Sequence, residues 1–178
     1  TGGDGMNDVQ TELVGNEWRF KSFGLDEWKI RDEMSKSVYG DVLEIGCGTG
    51  RSSAALLKRC RTLMATDYSK EMLDEACDYL SGIGRFSIKL CDVHSLPFLD
   101  NAYDCVFHFG ALNTFKDIKI AISEMTRVVK TGGKVIIGDE GIAPWLRDNV
   151  YGRVLVKANP LYLNQPPVHL LPVHANDV

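Results

Sequence analysis

Nothing in this sequence approaches the run of about 18 consecutive apolar residues that a membrane-spanning helix needs. Its opening, TGGDGMNDVQ, also lacks the basic-then-apolar layout of a secretory signal. The expectation is a soluble, cytoplasmic protein without a membrane partner. Positive charge is in short supply: 20 Lys and Arg against 24 Asp and Glu leave a net charge of -4. That is not the footprint of a protein that grips phosphate backbones along a basic face, so nucleic acid is not an expected partner. Cysteine and histidine are few and scattered. Cys47, Cys60, Cys77, Cys91 and Cys105 lie 13 to 17 residues apart, odd in number and without a C-x-x-C pair. This spacing fits neither a disulfide framework nor a zinc ribbon, and reduced, buried or half-buried thiols are expected. His94, His108, His169 and His174 show no ligating pattern, and no metal site is expected. There is no internal repeat and no low-complexity run. What remains is 178 residues, 44% hydrophobic and 25% charged, the size and composition of one globular domain.

From Asp41 onward, short β-rich runs alternate with helical ones. Val42-Leu43-Glu44-Ile45 reads as a strand, Ser52 to Cys60 as a helix, Leu63 to Thr66 as a strand, and Lys70 to Leu80 as a helix capped by Ser69. Phe86, Ile88 and Leu90 alternate as a third strand, and Asp104 to Phe109 form a fourth. Ile118, Ala121, Ile122, Met125, Val128 and Val129 recur at helical spacing before Gly132-Gly133, which are expected to stop the helix. Val135-Ile136-Ile137 is a fifth strand. Apolar strands separated by helices imply an α/β fold: a doubly wound, mostly parallel, Rossmann-like sheet with helices on both faces. Before residue 41, Trp18, Phe20, Phe23 and Trp28 stand among charges and suggest a helical lid over residues 1–40. After residue 140, a helix from Pro144 to about Lys157 leads into a Pro-rich tail (Pro160, Pro166, Pro167, Pro172), expected to be extended and to cover a sheet edge or the site. Residues 41–140 form the expected core between them.

The strongest feature is Val42-Leu43-Glu44-Ile45-Gly46-Cys47-Gly48-Thr49-Gly50, a strand that ends in three alternate glycines and opens a helix. Such a loop admits a ligand against bare backbone, and a helix start offers free N–H groups. The spacing is not that of a phosphate-binding P-loop, because Gly50 is followed by Arg51 and Ile45 stands five residues before it. It is not a dinucleotide fingerprint either, since the third glycine would fall at Arg51 or Ser53.

E-x-G-x-G-x-G on this strand resembles motif I of the class I S-adenosylmethionine-dependent methyltransferases. Leu96-Pro97-Phe98-Leu99-Asp100-Asn101-Ala102-Tyr103-Asp104 and Val128-Val129-Lys130-Thr131-Gly132-Gly133-Lys134 resemble the branch containing the ubiquinone and menaquinone C-methyltransferases. Leu99 and Thr131 stand where that branch often carries proline. The resemblance covers roughly Val42 to Asp139 and implies S-adenosyl-L-methionine as the cofactor. The loop Gly46, Cys47, Gly48, Thr49 and Gly50 would wrap its methionine part, with Glu44 facing the cationic end. Asp67, followed by Tyr68, would accept the ribose hydroxyls. Asp92 would hold the adenine amino group, with the Val93 N–H on a ring nitrogen, while His108 and Phe109 would lie beside the methionine end. All of these fall at carboxyl ends of strands, where open α/β sheets bind ligands.

Methyl transfer from a sulfonium is an in-line displacement, so positioning and water exclusion are the main tasks. Where the acceptor carries a proton, His108 is the expected base. Asn113, Asp139, Glu140 and Tyr151 are further polar groups able to face a small-molecule acceptor, and Trp18, Phe20, Trp28 and Trp145 are candidates for an apolar wall. The alternative is an S-adenosylmethionine-binding module or partner subunit without catalysis of its own. The sheet of this family ends in two further antiparallel strands; none is legible after the tail, so the chain is expected to be trimmed. Its open edge would favour pairing into a homodimer.

Overall fold

The computed structural model describes residues 27–171 except 111, 140, 143 and 164–166. Expectations for Trp18, Phe20, Phe23, Glu140, Pro166, Pro172 and His174 lie outside the described residues. Helix α1 (Glu27–Ser35) precedes β1 (Asp41–Ile45), α2 (Arg51–Leu56), β2 (Thr62–Asp67), α3 (Lys70–Leu80) and β3 (Phe86–Leu90). Then come β4 (Tyr103–Phe109), α4 (Ile118–Val128), β5 (Val129–Gly138) and α5 (Val150–Ala158).

The five strands form one sheet in the order β3-β2-β1-β4-β5, with every pairing parallel. β1 is central and buried on both faces, which is why it reads as a nearly continuous apolar run. Alternation along the strands divides the core into two layers. Val42, Leu63, Ala65, Cys105 and Phe107 pack toward Leu56 of α2 and Leu73 and Ala76 of α3. Leu43, Ile45 and Val106 pack toward Val93, Leu96 and α4, through Ala121, Met125 and Val128. The expected doubly wound sheet with helices on both faces is the observed fold.

Helix starts follow side-chain chemistry. The Ser69 hydroxyl accepts from the Met72 N–H at 3.3 Å, Asp117 Oδ1 from Ile120 N–H at 3.0 Å, and Asn149 Oδ1 from Gly152 N–H at 2.7 Å. Three expected boundaries move. α2 ends at Leu56, and turns carry the chain to Cys60. The helix expected from Pro144 begins at Val150, because Asn149 supplies the cap and Pro144–Leu146 form a separate 3-10 turn. Gly132-Gly133 do not stop α4. The helix ends at Val128, and the glycines lie within β5, where Tyr103 pairs with Val129 but Cys105 pairs with Lys134. β5 thus carries extra residues in a bulge.

Arg127 anchors the long connection from β3 to β4. It donates to the carbonyls of Leu96 and Phe98 at 2.9 and 2.8 Å, to Asp100 at 2.7 Å and to both oxygens of Glu124 at 2.7 and 2.8 Å. Glu124 in turn accepts the Leu96 N–H at 2.8 Å.

Candidate active site

Strand order reverses between β1 and β4: the chain runs outward from β1 through β2 to β3, then returns to lay β4 on the other side of β1. Loops leaving the two strands diverge there and open a crevice over their carboxyl ends. Ile45 pairs with His108, so the Gly46–Gly50 loop and His108-Phe109 frame the same opening.

The loop is held by backbone and by one carboxylate. The Cys47 N–H donates to the Thr66 carbonyl at 2.9 Å and the Gly50 N–H to the Cys47 carbonyl at 3.0 Å. The Gly48 N–H donates to Asp67 Oδ2 at 2.9 Å, and Asp67 Oδ1 accepts the Ser69 N–H at 3.0 Å. Asp67, 8% exposed, therefore fastens the glycine loop to the start of α3 and keeps lone pairs on both oxygens. Gly48 and Gly50 have φ of +52° and +85°. A Cβ on Gly50 would come within 3.1 Å of Leu80 and 3.3 Å of Ala76, so a close approach to α3 as well as the dihedral demands glycine. A Cβ on Gly48 would meet nothing within 4 Å among the described residues. The Cys47 thiol is buried, and burial pushes it far above the usual thiol range, so it is an inert wall. Thr49 is half-buried, and Tyr68 stands 74% exposed next to Asp67.

Two ionisable side chains lie beneath the loop. Glu44 is 1% exposed and accepts the Ser53 hydroxyl of α2 at 2.5 Å. Burial raises its carboxyl to about 7, against the opposing effect of that hydrogen bond. His108 is also 1% exposed, and its Nδ1 lies 2.8 Å from the Ile45 carbonyl. A carbonyl only accepts, so Nδ1 carries the proton and Nε2 is a lone-pair acceptor. Among the described residues, Nε2 is buried without a hydrogen-bond partner. Burial holds the imidazole below its ordinary pKa and so neutral. Phe115 packs on it at 4.9 Å between ring centroids.

Farther along the strand ends, Asp92 caps a short 3-10 turn (Val93–Ser95), with Val93 buried. Its Oδ1 accepts the His94 N–H at 2.9 Å and faces His94 Nδ1 at 2.5 Å, and these bonds hold the Asp92 carboxyl below its usual range. On the other side of the opening, α1 lies against α2. The Arg31 guanidinium stacks 4.2 Å from the Phe109 ring centroid and donates to the Ser52 hydroxyl, while Arg51 lies 5.6 Å from the Trp28 ring. At the ends of β4 and β5, Asn113 Nδ2 donates to Asp139 Oδ2 at 2.8 Å. Trp145 is 81% exposed, and Tyr151 is exposed on α5.

Glu44, Asp67, Asp92, His108 and Phe109 thus lie at the carboxyl ends of neighbouring strands. Arg31, Ser53, His94 and Phe115 were not singled out from sequence. Ser53 and Arg31 carry no local signal, whereas His94 had one: a position two after Asp92, where an Asx cap takes its N–H.

Residues 43–137 match a family described as a methyltransferase domain. The chain belongs to this family. It is a class I S-adenosylmethionine-dependent methyltransferase domain by fold and motif, and its likeness to the quinone C-methyltransferase branch is reproduced among its relatives. A demethylmenaquinone methyltransferase of Clavibacter sepedonicus is 35% identical over 127 residues, covering 69% of this chain and 51% of that protein. The ubiquinone/menaquinone biosynthesis C-methyltransferase UbiE of Cupriavidus metallidurans is 34% identical over 140 residues, covering 75% of this chain and 54% of that protein. The chain spans about half the length of these curated relatives. Among solved structures, a Methanococcus maripaludis protein proposed to be an S-adenosyl-L-methionine-dependent methyltransferase superposes with a TM-score of 0.56 at 28% identity, covering 76% of this chain and 72% of that one. No helix of the methyltransferase domain is long and apolar enough to cross a membrane, among the described residues.

Proposed function

We propose that this chain binds S-adenosyl-L-methionine in the β1–β4 crevice and transfers its methyl group in line to a small-molecule acceptor. The observation that carries the reading is the coupling of the bare glycine loop to Asp67 through the Gly48 N–H at 2.9 Å, at the point where strand order reverses. The residues fit the group. The Asp67 carboxylate lies at the loop, where a sulfonium and an ammonium are welcome and a pyrophosphate is not, and the Glu44 carboxyl lies buried beneath it. Asp67 has lone pairs left for ribose hydroxyls, Asp92 Oδ2 and the Val93 N–H serve the adenine edge, and Tyr68 and Phe109 supply ring faces. The cofactor supplies a methyl carbon already activated by its sulfonium, so the protein's work is to orient the acceptor and exclude water. Where the acceptor atom carries a proton, His108 Nε2 receives it; burial keeps the ring neutral and the Ile45 carbonyl fixes its tautomer. Relatives named for demethylmenaquinone and for ubiquinone and menaquinone make a quinone-like ring carbon the first acceptor class to test.

Calorimetric titration with S-adenosylmethionine, S-adenosylhomocysteine and NADH tests the cofactor. Both sulfur compounds are expected to bind and NADH is not. Asp67→Ala is expected to weaken the sulfur compounds by about tenfold or more, the worth of about one charge-assisted hydrogen bond. Undiminished affinity in that variant overturns the ribose assignment, and binding of NADH alone overturns the class. Formation of S-adenosylhomocysteine with a quinone-like acceptor, followed by mass spectrometry, separates catalysis from binding without turnover.

A further inference from the structure

His94 is given no role in the cofactor crevice as described, yet its side chain is hydrogen-bonded on both sides of the ring. Its backbone N–H donates to Asp92 Oδ1 at 2.9 Å, and its Nδ1 lies 2.5 Å from the same oxygen. On the far side of the ring, Nε2 accepts the Asp117 N–H at 3.1 Å. Because Nε2 accepts, Nδ1 holds the proton, and the neutral ring donates to Asp92 while accepting from α4. Asp117 is itself the amino-terminal cap of α4, its side chain engaged with the Ile120 N–H. His94 therefore satisfies a cap N–H that a capping-box glutamate would otherwise take. The ring is 20% exposed and stands edge-on to Phe115 at 6.2 Å, the same ring that packs on His108. Asp92 is 67% exposed and follows the end of edge strand β3, and among the described residues its carboxylate has its hydrogen bonds with His94 alone. Both fall on Oδ1, and among the described residues no hydrogen bond reaches Oδ2.

We propose that His94 is a positioning residue: by tying the Asp92 carboxylate to the amino end of α4, it sets the orientation in which Asp92 selects the amino-purine of the cofactor. An exposed carboxylate on its own rotates about χ1 and χ2, and the ordering cost falls on each binding event. Held by two donors that are themselves anchored to a helix cap and an aromatic ring, the carboxylate pays that cost once, on folding. The inference rests on the reading in which Asp92 meets the exocyclic amino group.

The test compares affinity for S-adenosylhomocysteine with affinity for S-inosylhomocysteine, whose purine carries a carbonyl in place of the amino group. The parent chain is expected to prefer the adenosyl compound by about tenfold or more, one hydrogen bond to a charged acceptor. His94→Phe keeps a ring against Phe115 and removes both side-chain hydrogen bonds. It is expected to lose about tenfold toward the adenosyl compound and less than about twofold toward the inosyl one. His94→Gln, which can donate and accept across the same gap, restores most of the preference. Asp92→Ala abolishes the preference, and Asp92→Ala with His94→Phe loses nothing more, as expected of residues acting as one unit. Equal losses toward both compounds in His94→Phe would mean that His94 only supports the fold, and an unchanged preference overturns the proposal outright. Preference retained in Asp92→Ala overturns the adenine reading itself and the role of His94 with it. Thermal melts accompany each variant, and His94→Ala takes the place of His94→Phe if the latter does not fold.

Discussion

Glu44 shows how a single residue can trade stability against chemistry. Buried under the glycine loop, with its carboxyl raised from 4.5 to about 7, it holds a proton in the folded chain that it sheds when unfolded. A raised carboxyl pKa means that the folded state binds more protons. Its contribution is whole below pH 4.5 and is lost as pH rises through about 7. Glu44→Gln retains an oxygen for the Ser53 hydroxyl but cannot ionise. Between pH 4.5 and roughly pH 8 the variant should lose less stability than the parent, by up to about 3 kcal/mol. Urea midpoints measured across that range decide the point, and parallel curves would show that the carboxyl ionises without penalty. This behaviour was not legible in the sequence. A glutamate ending an apolar strand reads equally as a ligand-facing acid or a buried one, and only Ser53 nine residues on, folded back from α2, reveals which oxygen is occupied.

At the scale of elements, legibility followed how local the deciding interaction is. α3 was read at its observed limits because its cap and apolar spacing lie within twelve residues, from Ser69 to Leu80. The strand pairs were legible in kind but not in order, since no local pattern states that Val42 meets Cys105. The end of α4 was misjudged because Gly132-Gly133 look like a helix stop. In fact a tertiary pairing pulls Val129 into β5 and places the glycines in a bulge over Asp104, whose carbonyl would lie 2.7 Å from a Cβ on Gly133. The β3–β4 connection is long and carries little regular structure, so its order depends on Arg127. Arg127→Ala withdraws donors from the Leu96 and Phe98 carbonyls and the guanidinium from Asp100 and from Glu124, which keeps only the Leu96 N–H. The expected cost is about 1–3 kcal/mol in a denaturation midpoint, with proteolysis appearing first between residues 96 and 102. Arg127→Lys reaches fewer of these acceptors and should recover only part of it.

For the whole molecule, the sheet is strongest at its middle. β1 is enclosed by β2 and β4 and by both core layers, while β3 is an edge strand with Ser87 to Leu90 exposed. Native-state hydrogen exchange should therefore grade outward. Amides of β1 and β4 are expected to exchange only through global unfolding, and those of β3 through local fraying at least about a hundredfold faster. Uniform protection across the sheet would contradict this layering. The same centrality has a consequence for biosynthesis. β1 is made first, but its partner β4 comes 63 residues later in register, Val42 meeting Cys105. At roughly 5–20 residues per second, a nascent chain waits several seconds with the central strand of the fold paired on one side only. During that interval Val42, Leu43 and Ile45 are the segment a holding chaperone would be expected to bind, and the segment through which neighbouring chains on one messenger would first coalesce.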